Sequence, residues 1–578
     1  MCLIQFLHSN TADGAFPMST PIKTKYDIAG EERSRCTDRV LNSPATKKVV
    51  VAGAGTGKTF LFKQILSGKE NNLTLTFINA LVEDLDIELR GLTDVRTLHG
   101  FARGIMATLL RTTIKISPLV TKIIDEDASI LLMKNIAFDR QFNGLELSDE
   151  DFEFYKLRRI FYGHYSYSAI IYLAVLYFRK NPEKIPLFGQ VLVDEFQDFN
   201  PLEVELIRIL EKKSPILVAG DDDQALYDFK AANPKYLREL HNDRTHGYTS
   251  FNLPYCSRCT EVIVDATNDV ITNAKKAGFL SQRIDKPYLY FHEQNKSKVC
   301  EMFPKITHSR VFHAQIPWYV ETKSNDVLNE LKATFSVLII SPYNKQLHKI
   351  ASDLRMKGFR NVECSVRDES DDDLFSGLRL LIDDFECNLG WRIVLKHLVA
   401  ERDFRLILNE SHKDLGVKLY KFVEADLKKE IKELVSTFRK LSKNQDVSDE
   451  AFQGLIAKLE MDPISLTKSH LIQKIATLTT ATIKPGLRNI PIKLATIQSS
   501  KGLSGDVVFL THFDDSFYIK KKAPGSPAIS DQEICNFIVA LTRTKKKAFL
   551  ISTREEKPTF LSWIRKERIE NSKFAGPR

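Results

Sequence analysis

Three short stretches carry residue types suited to handling phosphate. The first, "KKVVVAGAGTGKTF" (47–60), is an apolar β-branched run, a glycine-rich turn and then Lys58-Thr59. Glycines let backbone N–H groups close around phosphate oxygens where a Cβ would obstruct them, and the strand–turn–helix order is the context such a cradle requires. The cradle spans Ala52, Gly53, Ala54, Gly55, Thr56, Gly57, Lys58, Thr59 and Phe60. Lys58 is expected to reach the β- and γ-phosphates and Thr59 to ligate Mg²⁺, which makes this a nucleotide site. The second stretch, "FGQVLVDEFQDFNPLE" (188–203), ends an apolar strand in Asp194-Glu195. There Asp194 can hold Mg²⁺ and Glu195 can orient and deprotonate an attacking water. The third runs from "SPILVAG" into "DDDQALYDFKAANP" (221–234). Gln224 is positioned to sense a γ-phosphate. Tyr227, Phe229 and Lys230 form an aromatic and basic cluster of the kind that stacks single-stranded bases.

In this order, "AGAGTGKT", "VLVDEFQD" and "VAGDDDQALYDF" resemble motifs I, II and III of superfamily 1 helicases of the UvrD/Rep type. Between the first two lie "LTLTFINALVEDL" (73–85) and "VRTLHGFARGIM" (95–106), which are similar to the family's single-strand track. The resemblance implies DNA contacts for Thr76, Asn79, Thr97 and His99, although Ala80 replaces the usual lysine. Further on, "LATIQSSKGLSGDVVFL" (494–510) and "EICNFIVALTRTKKKAFLI" (533–551) resemble motifs V and VI. Arg543 then matches the arginine finger donated across the domain interface. Lys501 and Gly502 open a turn expected to meet a DNA phosphate.

The segment "LPYCSRCTEVIVDATNDVI" (253–271) holds a Cys-x-x-Cys with Arg258 inside it. One such pair is a weak metal signal without partners at ligand spacing, and the chain has no second one. In the family, an arginine precedes an Ala-x-Asn helix segment by ten residues, and counting back ten from Asn268 reaches Arg258. The resemblance therefore implies that Arg258 is a second γ-phosphate arginine, with Cys256 and Cys259 as bystanders. Departures fall on the base and sugar. Ser257 replaces the adenine-stacking tyrosine, Ser504 replaces a ribose-side glutamate, and no upstream glutamine is evident. Gln498 stands where motif V carries histidine. These changes point to a competent nucleotidase with relaxed base selection.

The elements that must position these residues follow from length and pattern. A chain of 578 residues holds several domains, since single cores rarely exceed about 250–300 residues. The implied fold is α/β, with two RecA-like P-loop NTPase domains, each a parallel sheet flanked by helices, and two helical insertions. Expected boundaries are an N-terminal extension at 1–17 and a first core at 18–100 and 186–250. A helical insertion at 101–185 interrupts the first core, with "ASILLMKNIAFDRQF" and "YLAVLYFRKN" as helices. A second core covers 251–388 and 487–560, a reduced helical insertion 389–486, and a basic tail 561–578. Within the second core, 281–335 reads as short strands. In the second insertion Leu415, Leu419, Phe422, Ile431, Leu434, Phe438 and Leu441 recur at helical steps.

The net charge of +9 suits a polyanion partner. Eight scattered cysteines do not read as a disulfide framework, which favours a reduced, cytoplasmic setting. The most apolar run, "AIIYLAVLYF" (169–178), is half the length of a membrane span, so no membrane association is expected. The resemblance implies ATP and Mg²⁺ as cofactors and single-stranded DNA, or a forked duplex, as partner. It further implies an ATP-dependent helicase or translocase moving 3′ to 5′, with protein partners in a repair or defence complex. The alternative is a nucleotide-switched DNA-binding or sensor subunit without autonomous unwinding.

Overall fold

The computed structural model describes residues 25–76, 79–226, 232–242, 246–364, 372–442, 448, 486–519 and 529–574. Two parallel sheets organise them. The first is built from β1 (Lys47–Ala52), β2 (Asn72–Thr76), β3 (Asp94–Thr97), β4 (Gln190–Val193), β5 (Ile216–Gly220) and β6 (Thr249–Leu253), in the order β3-β2-β4-β5-β1-β6. Helices cover both faces, so the central strands are continuous apolar runs rather than alternating ones. Val49, Val50, Val191, Leu192, Val193, Leu217 and Val218 are all buried. Register sets Val49 beside Val218 and Val193 beside Val218. The neighbouring order β4-β5-β1 brings three loops to one C-terminal edge: Gly53–Gly57, Asp194–Asp198 and Asp221–Gln224. That edge is where open parallel sheets hold ligands.

A two-residue pair, β7 (Tyr255–Cys256) and β8 (Leu289–Tyr290), leads into the second sheet. This comprises β9 (Ile306–Arg310), β10 (Val337–Ser341), β11 (Val362–Cys364), β12 (Ile492–Thr496), β13 (Gly505–Leu510), β14 (Thr544–Ser552) and β15 (Ile569–Lys573). Their order is β11-β12-β10-β13-β14-β9-β15, parallel throughout. Lys501 lies in the turn before β13, and Arg543 directly precedes β14, with the Gly505 N–H donating to the Arg543 carbonyl (3.1 Å). The first sheet thus offers the ends of its strands to the second sheet's beginnings.

Several expected boundaries shift. Strand β6 reaches Leu253 and closes the first sheet, because its partner is β1. Strand β15 lies in the expected basic tail, yet it pairs with β9 as the second sheet's edge. The stretch around "RVFHAQIPWYVE" is mostly helix, Ile316–Leu331, with Pro317 in its first turn, where a missing N–H costs nothing. In the first insertion the run "ASILLMKNIAFDRQF" is two helices, Val120–Leu131 and Phe138–Gly144, with Met133 in the left-handed region between them.

The helix Asp372–Asp383 packs on Asn388–Leu398 and belongs with the second insertion rather than the second sheet. Both insertions share one core, in which Phe161, Tyr162 and Phe178 join Trp391, Phe404 and Phe438. Ile431, Leu434 and Phe438 are buried in the Ala425–Ser442 helix, whereas Leu419 and Phe422 fall in a single 3₁₀ turn. Leu415 lies in the loop before that turn, and the Leu441 side chain lies outside the described residues. The Tyr167–Lys180 helix, which contains the most apolar run, packs between the insertion and the first sheet's helices. Among the described residues, no helix is long and apolar enough to cross a membrane.

Candidate nucleotide cleft

The buried strand β1 delivers a turn in which Gly55 (φ 69°) and Gly57 (φ 97°) take left-handed conformations that favour glycine. A Cβ on Gly55 would lie 2.4 Å from Cβ of Arg258, so glycine is also required there by close approach. The turn is pinned by the Thr56 hydroxyl, which donates to the Gly53 carbonyl (3.0 Å). Helix Lys58–Leu66 starts at once, so its free N–H groups and partial positive end face the turn. Phe60, expected at the edge of the cradle, is exposed on this helix.

Lys58 reaches across to the end of β4. Its ammonium donates to Oε1 of Glu195 (2.7 Å) and lies 3.2 Å from Oδ1 of Asp194. Burial alone would lower its pKa, but the two carboxylates outweigh that and raise it. Glu195 has φ 56°, a left-handed conformation that costs a non-glycine residue about 1–3 kcal/mol. Its side chain is held from three sides: by Lys58, by Lys501 at 3.2 Å and by the Gln197 amide at 2.6 Å. Burial pushes its pKa up, yet the Lys58 and Lys501 charges prevail and hold it well below the usual range. Asp194 moves the other way, because burial dominates over the pull of Lys58. The two adjacent carboxylates are thereby shifted in opposite directions.

The donor set suits Mg²⁺. The Thr59 hydroxyl and the Asp194 carboxylate are hard oxygens beside a phosphate cradle, and Mg²⁺ is usually bound by one or two carboxylates plus substrate phosphates. The other acidic cluster, Asp221, Asp222 and Asp223, is already neutralised. Lys286 lies 2.6 Å from Asp221 and 3.2 Å from Asp223 and also pairs with Asp222. Arg283 pairs with Asp223 (2.7 Å) and Arg238 with Asp222 (3.0 Å). These three carboxylates build the loop that carries Gln224.

Gln224 joins the two sheets. Its amide donates to Asp221 (2.5 Å) and its carbonyl oxygen accepts from the Arg543 guanidinium (2.7 Å). Arg543 also donates to the Val539 and Leu503 carbonyls (3.2 and 3.4 Å). Burial, then repulsion from Arg258, brings its pKa down to about 10. Arg258 donates to the Thr542 carbonyl (3.1 Å), while its buried Nε–H has no hydrogen-bond partner among the described residues. The Ser257 N–H and hydroxyl both donate to the Gly55 carbonyl (2.9 and 3.2 Å), fastening this segment to the phosphate turn. Lys58, Asp194, Glu195, Gln224, Arg258 and Arg543 are therefore drawn together at the junction of the two sheets.

Lys501 requires a correction. Expected at a DNA phosphate, it is buried in the cleft, ion-paired with Asp198 and Glu195 and donating to the Gln224 carbonyl (3.2 Å). A lysine with two carboxylates and a carbonyl around it in a buried site cannot face a strand. Gly502 beside it is exposed with φ 83°. Tyr288 was not singled out by sequence. Its hydroxyl donates to the Ala54 carbonyl (2.9 Å), and its ring lies 2.9 Å from where a Gly53 Cβ would be. Nothing local in "DKPYLYF" signals that contact, which depends on how the second half packs.

Of the expected strand contacts, Thr76 ends β2 with a buried hydroxyl that has no partner among the described residues. Thr97 accepts from the Gly100 N–H (3.0 Å) and so caps the Leu98–Leu110 helix, and the half-buried His99 ring meets Tyr167 edge-on at 5.2 Å. Asn79 begins the Asn79–Glu88 helix, but its side chain lies outside the described residues, as do Tyr227, Phe229 and Lys230.

Residues 150–245 match the sequence profile of the UvrD/REP helicase N-terminal domain. A probable DNA helicase II homolog of Mycoplasma pneumoniae is 25% identical over 401 residues, covering 63% of this chain and 54% of the relative. The ATP-dependent DNA helicase Rep of Buchnera aphidicola is 20% identical over 623 residues, covering 87% of this chain and 92% of Rep. DNA helicase II of Escherichia coli is 34% identical over 87 residues, 15% of this chain and 12% of that protein. The chain thus spans about half of the Mycoplasma relative and most of the Buchnera one.

Proposed function

Because the chain is of the UvrD/Rep type of superfamily 1, we propose that it is an ATP-dependent DNA helicase or translocase that moves 3′ to 5′ on single-stranded DNA. The two sheets act as the two halves of a motor, with ATP bound between them. One observation carries the reading. Arg543 and Lys501, from the second sheet's loops, contact Gln224, Glu195 and Asp198 on the first. Hydrolysis then depends on how closely the halves approach, and that dependence is what couples chemistry to movement.

The chain's own residues have distinct tasks. Backbone N–H groups of Gly53–Gly57 and the Lys58 ammonium bind the β- and γ-phosphates. Thr59 and Asp194 supply ligands for Mg²⁺, which neutralises charge on the phosphate oxygens when bound. When phosphate enters, Lys58 exchanges its carboxylate partners for phosphate oxygens and frees Glu195 to orient the attacking water and take its proton. Gln224 holds the γ-phosphate side of the cleft. Arg258 and Arg543 stabilise charge on the transferring group, a contribution worth about 10³–10⁵ in rate for one such arginine. Strand binding falls to Thr76, Asn79, Thr97 and His99, with Tyr227, Phe229 and Lys230 as stacking and charged contacts.

ATP hydrolysis by the purified protein, with and without a single-stranded oligonucleotide, tests the reading beside Lys58→Ala. Stimulated turnover that vanishes in the variant, while strand binding persists, is expected. A forked duplex assayed in parallel separates unwinding from translocation alone. Turnover indifferent to DNA would contradict the motor reading.

A further inference from the structure

Sequence alone left Cys256 and Cys259 without a task, yet they are built into the cleft. Both are buried free thiols, packed with Ala54 of the phosphate turn. The Cys259 N–H donates to the Cys256 sulfur (3.4 Å), and the Cys259 thiol donates to the Thr542 carbonyl (3.5 Å). That carbonyl is the one Arg258 uses, and it belongs to the residue immediately before Arg543. One acceptor therefore ties a thiol to both arginines. The pair precedes the sixteen-residue helix Glu261–Lys276, whose positive end favours a thiolate nearby. Burial opposes ionisation of Cys256. Hydrogen bonding from Cys259 and the Arg258 charge outweigh it and bring the thiol down to about 5, whereas Cys259 is pushed well above its ordinary value. Two thiols three residues apart, joined by the bond from the Cys259 N–H to the Cys256 sulfur, are the arrangement of an attacking and a resolving cysteine.

We propose that Cys256 and Cys259 are a reversible dithiol–disulfide site that switches the motor by disengaging Arg258 and Arg543. The effect on turnover rests on the function proposed above; the thiol chemistry does not. With hydrogen peroxide as oxidant, the Cys256 sulfur attacks one peroxide oxygen, giving a sulfenic acid and one water. The Cys259 sulfur then displaces the hydroxyl as a second water. The S–S bond replaces two S–H bonds, both thiol protons leave in water, and peroxide takes up the two electrons. The disulfide leaves Cys259 with no proton to donate to Thr542 and shortens the span across Ser257-Arg258. Ser257 is bonded to Gly55 on the first sheet, so separating the halves removes the cover over Cys256. Oxidation is fastest in the open cleft and slowed by nucleotide.

The test exposes the full chain to hydrogen peroxide, maps its thiols by alkylation and peptide mass, and follows ATP turnover before and after dithiothreitol. A single 256–259 disulfide is expected, with turnover falling by about tenfold or more, given what one such arginine contributes, and returning on reduction. Cys259→Ser, whose hydroxyl can still donate to the Thr542 carbonyl, should keep the turnover of the reduced protein and form no 256–259 disulfide with peroxide. Should that variant fold poorly, the wild type decides: a non-hydrolysable ATP analogue must slow disulfide formation. Thiols that remain alkylatable, a disulfide that leaves turnover unchanged, or no protection by nucleotide would each overturn the proposal. Absence of turnover in the reduced protein would instead defeat the motor reading and leave the thiol map standing.

Discussion

Two regions of buried charge use it differently. Where the helical insertions meet, Asp127 is fully enclosed by Arg158 (2.5 Å), Arg392 (2.9 Å) and the Tyr162 hydroxyl (2.5 Å). Arg158 belongs to the first insertion and Arg392 to the second, and Asn388 adds a bond to the Phe161 carbonyl (2.8 Å). All partners are supplied by the protein and none can be exchanged. In the candidate nucleotide cleft, Lys58 and Lys501 satisfy Glu195 and Asp198, and under the function proposed above a phosphate takes Lys58 away. The first arrangement joins two bodies. The second stores counter-charges that the substrate can displace. Buried ion pairs contribute little net stability against apolar packing, but removing one partner strands the other and is costly.

The comparison makes ordered predictions. The largest effect is on turnover: Arg543→Ala should lower kcat by about 10³-fold or more while nucleotide binding and the melting temperature hold. A melting temperature that falls sharply with it would make this arginine a structural tie like Arg392. Next is stability: Arg392→Met should cost about 1.5–3 kcal/mol in denaturant unfolding, because Asp127 loses one charge-assisted hydrogen bond while Arg158 still pairs it. Its junction also sets a pH dependence. Burial raises the Asp127 pKa but the two arginines outweigh it and depress it, so its stabilisation is present at neutral pH and is lost on acidification below the ordinary aspartate range. Asp127→Asn should therefore be destabilised at pH 7 and show a flatter acid limb in its unfolding curve.

A smaller effect concerns Lys501. Lys501→Met removes one of the charges depressing Glu195, so the acid limb of the kcat profile should move to higher pH. Affinity for single-stranded DNA and its salt slope should not change, whereas loss of a phosphate contact would reduce that slope by about one unit. Smallest is base choice. With Ser257 bonded to the phosphate turn, kcat/KM for ATP, GTP and CTP should agree within about a hundredfold, the range reached without edge recognition. A larger ATP preference would point to a base contact elsewhere.

What the sequence discloses depends on locality. Lys58, Asp194, Glu195 and Gln224 sit at strand ends within a few residues of the glycine or acidic pattern that marks them, so neighbours in sequence identify them. Arg543 and Arg258 were legible through the resemblance, since nothing near them requires a phosphate. Lys501 was misassigned because its partner Asp198 is 303 residues away, and a lysine before glycine reads equally well as a surface turn. The Asp372–Asp383 helix went to the wrong body for a similar reason. Its amphipathic face fits either core, and only packing on Asn388–Leu398 chooses. Strand β15 carries three charged or amide side chains in five residues and looks like tail. Edge strands tolerate that pattern, because only one side is paired.

The central claim is that the second sheet completes the cleft by reaching across to the first. Steady-state ATP hydrolysis by the wild type and Arg543→Ala, each with and without a single-stranded oligonucleotide and at equal nucleotide occupancy, tests it most directly. The account predicts DNA-stimulated turnover in the wild type and none above background in the variant. Equal turnover in the two proteins would contradict it.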